Sequence, residues 1–222
     1  GDVQETIFDT APGLTAEQHY QQLQQAGVVG LRDPNMAEAG PAVVAPCASG
    51  TARLECSNGH TLHWANNGYG HPQVYFVDHT GSAWPTDVST YTWNQAQGID
   101  SIYVWGSCPG YGGTHCVNVN DANYGNTGKW AGTTGLTYLT WNPTSYNFVD
   151  GKVYIQLNDY NFGLNAAGHR QDVCQEQGHS LGMDHNTATN SCMYQYIINS
   201  TGAETPDSAD FSLIAELYSV SH

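Results

Sequence analysis

The stretch Cys174-Gln175-Glu176-Gln177-Gly178-His179-Ser180-Leu181-Gly182-Met183-Asp184-His185 carries side chains whose types and spacing suit a metal ion. On a helix, Gln175 and His179 fall one turn apart on the same face and can reach a single cation. Glu176 lies beside the first of them, placed to hold a water on that cation and to take its proton. Gly182 can end the helix in a left-handed conformation and turn the chain back. His185 then arrives as a third ligand from outside the helix. Three protein ligands and one position open to water make a catalytic zinc site, and the chemistry it implies is hydrolysis.

Gln175 is the unusual member of this set. Imidazole is a good zinc donor, whereas a neutral carboxamide oxygen is harder and poorer. Three arrangements fit the residues: Gln175 ligates through its side-chain oxygen; another group, such as a His from elsewhere in the chain, completes the site; or the site is degenerate and no longer catalyses. Glu176 favours a working site, since a purely structural metal has no use for a carboxylate there.

The spacing resembles the long zinc signature of the metzincin peptidases, H-E-x-x-H-x-x-G-x-x-H, matched at each defining position except the first, where Gln175 stands. Ser191-Cys192-Met193 follows at the distance where that family places a Met-containing turn, so the resemblance assigns Met193 to it. The tail DSADFSLIAELYSVSH resembles the closing helix of matrixin-like secreted bacterial and fungal members. The resemblance covers about 71 to 222, and its specific part is 174 to 193. It implies an α+β metzincin-like zinc peptidase fold: a twisted mixed sheet with an active-site helix, a Met-turn and a C-terminal helix. It further implies a catalytic domain over 71–222, with an upper subdomain 71–182 and a lower subdomain 183–222. The activity implied is that of a zinc endopeptidase, with Gln175, His179 and His185 as ligands and Glu176 as general base for a metal-activated water. A catalytically disabled binding protein, or a zinc hydrolase with a non-peptide substrate, stays open, because a fold alone does not set the chemistry.

The elements that must position these residues read as follows. Residues 15 to 26 are good helix formers, with Thr15 as N-cap and Gly27 as stop. A Pro- and Ala-rich stretch over 33–46 reads as a linker, and 1–70 as an N-terminal extension, either a pro-segment or an accessory element. Strands are expected at Val74–Val77, Ile99–Trp105, Cys116–Val119 and Leu136–Trp141. A helix should run from Trp84-Pro85 to about Gln97, and a Gly-punctuated loop from Gly125 to Gly135. Lys152–Asn158 alternates like a half-buried edge strand, which either binds an extended peptide by strand addition or is an ordinary surface strand. The zinc helix should span about Ala166 to Leu181, and Pro206-Asp207 should open a last helix.

The six cysteines fall in close pairs, Cys47 with Cys56, Cys108 with Cys116 and Cys174 with Cys192. Even number and tight pairing predict three local disulfides and an oxidising, extracellular compartment. The start Gly1-Asp2 is what a processed product would show, and Asn199-Ser200-Thr201 is an acceptor sequon. No apolar run approaches the roughly 20 residues that span a bilayer. Five Lys and Arg against twenty Asp and Glu leave a formal charge of −15. That field disfavours nucleic acid and anionic membrane surfaces as partners; a protein or peptide substrate is what the resemblance implies, and a monomeric chain is expected. Asp121, Asn123 and Asn126 offer oxygens suited to Ca2+, though turn chemistry explains them equally well. His60 and His63 read as packing or surface histidines; His71, His79 and His115 match no defined metal motif.

Overall fold

The structure, a computed structural model, describes residues 1–33, 53–54, 60–111, 113–140 and 145–219. Among them are eight strands and four α-helices: β1 (Asp2–Thr10), α1 (Ala16–Gln25), β2 (Thr61–His63), β3 (Gln73–Asp78), α2 (Thr86–Trp93), β4 (Asp100–Trp105), β5 (His115–Ala122), β6 (Trp130–Leu139), β7 (Ser145–Phe148), β8 (Tyr154–Asn158), α3 (Ala166–Ser180) and α4 (Ser208–Leu217). The strands form one mixed sheet in the order β2-β7-β6-β8-β5-β3-β4, with β1 joined to β6. Strands β8, β5, β3 and β4 run parallel, and β6 runs antiparallel to β8, to β7 and to β1. The mixed sheet is the one expected. Its parallel centre, joined through crossovers, makes the arrangement α/β rather than α+β.

The apolar residues of the parallel strands, Val74, Phe76, Val117, Val119, Ile155 and Leu157, are fully buried together with Trp93, Leu181 and Met193. Helix α3 runs through this core, and every residue from Gln171 to Ser180 is buried. A polar helix survives there in part because the donors of its amide side chains are matched. Gln171 donates to the Tyr196 carbonyl and accepts from the Ile198 amide, while Gln177 donates to Thr90 Oγ1. At its end Trp64 Nε1 donates to the Ser180 carbonyl and the Tyr218 hydroxyl to that of Leu181, which satisfies groups the helix leaves open. Gly182 then takes φ +101°. Its amide bonds to the His179 carbonyl and that of Met183 to Gly178, a Schellman closure.

Several elements lie where the residues predict them. Thr15 caps α1 in a reciprocal capping box with Gln18, and Asp207 caps α4 with Asp210 in the same way. The disulfides Cys108–Cys116 and Cys174–Cys192 are formed, consistent with an extracellular location. The expected Cys47–Cys56 pair lies outside the described residues. Among those residues no helix is long and apolar enough to cross a membrane.

Other expectations are corrected. Helix α2 stops at Trp93, and Asn94 instead accepts from the Ser101 amide to start the turn into β4. Strand β6 begins at Trp130, inside what reads as a glycine-punctuated loop. A Cβ on Gly132 would lie 2.4 Å from Asp172 Oδ1, and one on Gly135 would lie 2.3 Å from the Tyr154 ring. Both are close-approach glycines within a strand rather than turn residues. Strand β8 is not an edge: β5 pairs with one side of it and β6 with the other. Its alternation reflects two differently covered faces, not a free edge. The exposed side of β6 belongs to β1, an unforeseen strand, and β2 and β7 were likewise not anticipated.

Candidate metal centre

The site is assembled from α3, the chain just past Gly182, and the end of β1. On α3, Asp172, Gln175, Glu176 and His179 share one face by helical spacing. His179 donates Nδ1–H to the Met183 carbonyl at 2.9 Å, which fixes the ring and leaves Nε2 for a ligand. His185 stands against it with ring centroids 4.8 Å apart and planes 85° apart. Both Nε2 atoms reach one carboxylate oxygen, Asp9 Oδ1, at 3.4 Å from His179 and 3.1 Å from His185. Asp9, His179 and His185 each offer a ligand atom, and these atoms lie within 4.8 Å of one another. The two predicted histidines therefore converge. The group that joins them is a carboxylate from the far end of the chain.

Gln175 is completely buried. Its Nε2 donates to the Tyr194 carbonyl at 3.0 Å, and its Oε1 has no hydrogen-bond partner. The carboxamide thus spends its donor on the loop after Met193 and keeps its oxygen free. Glu176, also fully buried, has one oxygen against the Thr134 hydroxyl and the other, Oε1, without a partner. Asp172 has neither oxygen bonded, and Asp9 Oδ2 is likewise unpartnered. Asp9, Asp172 and Glu176 form a second close group with ligand atoms within 4.8 Å. Buried acceptors left open in this number are costly unless a proton or cation meets them. The set of Asp9, His179 and His185, a carboxylate and two imidazoles, has the chemistry of a zinc-type cation site.

The electrostatics follow from this crowding. Burial alone would raise the Asp9 carboxyl, but hydrogen bonds and charge from His179, and then from His185, outweigh it and hold it below the usual carboxylate range. Burial and the negative charge of Asp9 push Asp172 well above that range. Glu176 is raised by burial and by Asp9 and Asp172, against the opposing Thr134 hydrogen bond. For His185 burial disfavours the charged ring, yet the Asp9 bond and charge, with Asp184, raise it overall.

Met193 is fully buried beneath α3. A Cβ on Gly178 would lie 2.3 Å from its Sδ, so the glycine is what lets the helix sit on this turn. Ser191 accepts from the Met193 amide and donates to Asp210, tying the turn to the start of α4, and Cys174–Cys192 ties it to α3.

His19 Nδ1 shares a buried hydrogen bond with Thr10 Oγ1, next to Asp9, and other described histidines are engaged away from the site. His63 bridges the Trp64 carbonyl and Ser145, His60 contacts the Tyr146 hydroxyl, and His169 packs edge-on to Trp84. His71 faces Asp100, His79 faces Asn118, and His115 lies between Asp150 and the Ala65 carbonyl. Asp121 Oδ2, on β5, accepts from the distant Gly81 amide, while Asn123 accepts from the Gly125 amide two residues on, the bond of a turn residue. The sequon Asn199 ties its loop to the start of α3: its side chain accepts from the Asn165 amide and donates to the Gly163 carbonyl.

Sequence reasoning missed Asp9 and Asp172. Asp172 was findable as the residue one turn before Glu176. Asp9 had a weaker signal, the β-favouring run Val3 to Thr10 before the Pro12-Gly13 break. Nothing in that run says which strand it joins. No model of a known protein family matches this chain, and no curated protein matches its sequence.

Proposed function

We propose that this protein is a secreted zinc-dependent endopeptidase of the metzincin type. The observation that carries the reading is the convergence of His179 Nε2 and His185 Nε2 on one point, with Glu176 one turn back on the same helix face. The closure at Gly182, the buried Met193 under Gly178, and an antiparallel strand, β6, beside the site support it.

In this reading His179 and His185 hold the zinc with Gln175 Oε1, the unpartnered amide oxygen, as third donor. Bound zinc supplies Lewis acidity and lowers the pKa of a water towards about 7. Glu176 Oε1 takes the proton of the attacking water and delivers it to the leaving amine. The Thr134 hydroxyl keeps the other oxygen in place, so that only Oε1 faces the reacting groups. The Met183 carbonyl orients His179.

The test is zinc stoichiometry together with casein cleavage for the wild type and Glu176→Gln. Glu176→Gln should retain zinc and lose about 10²–10⁴-fold in rate, the contribution of a positioned general base. Equal rates for the two would sink the assignment, and protein that binds no zinc would sink the reading altogether.

A further inference from the structure

We infer that the free edge of strand β4 is a docking strand for an extended segment of another protein, one that carries Lys or Arg beside apolar side chains. Strand β4 ends the sheet, and among the described residues no strand lies on its outer side. The Asp100 amide donates to the Pro72 carbonyl and the Gly106 amide to that of Asp78, so the even-numbered residues of β4 direct their backbone at β3. Alternation turns the backbone of Ser101, Tyr103 and Trp105 outward. There the Ser101 amide donates to Asn94 Oδ1, and the Ser107 amide donates to the Trp105 carbonyl. The Ser101 carbonyl, both Tyr103 backbone groups and the Trp105 amide are left facing outward, with no partner among the described residues.

Edges of this kind are ordinarily guarded by Lys, Pro or a bulge. Strand β4 contains neither Lys nor Pro, and its register with β3 runs unbroken from Asp100 to Trp105. Aromatic rings flank it instead, on both faces. On one face Trp105 is 67% exposed, and Tyr103 lies against Tyr91 of α2 with ring centroids 6.1 Å apart. The Tyr103 hydroxyl donates to Asp78 Oδ2 at 3.0 Å, which holds that ring in place. On the other face Tyr75 pairs in register with Ile102 and has Tyr69 and Tyr111 beside it, both more than half exposed. A strand laid on this edge would set alternate side chains over each group of rings. Aromatic surface gathered on both sides of unpaired backbone has the character of an interaction site rather than of scattered surface residues.

Charge selects the occupant. Between Arg53 and Lys129 the sequence has no Lys or Arg, so β3, α2 and β4 bring carboxylates with neither to offset them. The Asp100 carboxylate meets Gln73 and His71 through Oδ2, stays 38% exposed, and opens the strand on the Tyr75 face. Asp87, in the first turn of α2, lies near Tyr103 on the opposite face. A second copy would bring the same acidic edge and a net charge of −15, which opposes self-pairing. A segment with two cationic side chains three residues apart points them to opposite faces, so each meets a carboxylate. Such cations also stack favourably on exposed rings such as Trp105 and Tyr91. Strands β3, β5 and β8 separate this edge from β6, and the inference does not rest on the zinc reading.

The test adds a fluorescein-labelled peptide, Gly-Arg-Val-Thr-Lys-Val-Gly, to the full chain, with a control peptide carrying Glu in place of Arg and Lys. Fluorescence anisotropy should show saturable binding of the cationic peptide alone, weakened about tenfold by raising the salt to roughly 0.5 M. Bound peptide should slow amide exchange at Tyr103 and Trp105 and leave Thr133–Thr137 of β6 unchanged. Trp105→Ala, at an exposed position, should keep its Tm and weaken binding by about tenfold. Asp87→Asn should weaken it in the same direction and reduce the salt dependence. Failure of the cationic peptide to bind, or equal binding of both peptides, overturns the inference. So does binding that leaves the Tyr103 and Trp105 amides exchanging as before. Protection of those amides by raised protein concentration alone would give the edge to a second copy. Quenching by soluble chitin or cellulose oligosaccharides that vanishes in Trp105→Ala, without amide protection, would make the surface a glycan platform. Either result overturns the inference as well.

Discussion

Gln175 is the position at which a single side chain decides most. Its Nε2 is committed to the Tyr194 carbonyl and its Oε1 is open. Two roles follow, clamp and ligand, and substitution separates them. Gln175→His should raise zinc affinity on the order of tenfold, because imidazole is the better donor. Gln175→Ala should lower zinc affinity and also destabilise the fold by about 1–3 kcal/mol, since the Tyr194 carbonyl loses its partner. Competition with a chromophoric chelator reads the first effect and denaturant unfolding the second. Zinc affinity unchanged in Gln175→Ala would reduce the residue to a clamp. The grouping of Gln175, Glu176, His179 and His185 was legible because its members lie within one helix and its exit turn. Asp9 was not, because it meets His179 across 170 positions of sequence.

At the level of elements, α3 is held between the sheet and the Met193 turn by glycines that read poorly from sequence. A side chain at Gly178 would meet Met193 Sδ at 2.3 Å and Trp93 Cζ2 at 2.8 Å. Met193 can flex, but Trp93 is fully buried and cannot easily move. Gly178→Ala should therefore cost about 1–3 kcal/mol by overpacking. At this chain length that lowers Tm by roughly 2–4 °C per kcal/mol, measurable by scanning calorimetry. An unchanged Tm would mean that the helix does not rest on that turn. Helix α3 itself was predictable from its composition and cap signals. That it is buried on all sides from Gln171 to Ser180 was not, because its polar composition reads as surface until the partners of Gln171, Gln175 and Gln177 are known.

The whole molecule carries a charge of −15, yet its most consequential carboxylates are the buried ones. Asp172, Glu176 and His185 have folded-state pKa values raised above their unfolded ones. Without metal the native state thus keeps protons that the unfolded chain has released, and stability falls as pH rises above the ordinary carboxylate range. Asp9 is shifted downward, so its contribution is present above its unfolded pKa and is lost only as pH falls through its lower folded value. Chelator-treated protein should accordingly melt at a higher temperature at about pH 5 than at about pH 8. The difference should shrink in Glu176→Gln. Added zinc should raise Tm more at the higher pH, where its ligands are already deprotonated. A metal-free Tm that climbs from pH 5 to pH 8 would contradict the buried carboxylate cluster.

What the sequence determined by itself is local. The caps of α1 and α4, the stop at Gly182, the two short-range disulfides and the one-turn spacing of Gln175, Glu176 and His179 all depend on neighbours along the chain. The tertiary structure alone decided which strand covers β6, that β8 lies inside the sheet, and that a carboxylate from β1 meets the histidines. Strand pairing of this kind rests on backbone groups that every residue shares. A run such as Val3 to Thr10 can therefore announce a strand, but only the folded chain selects its partner.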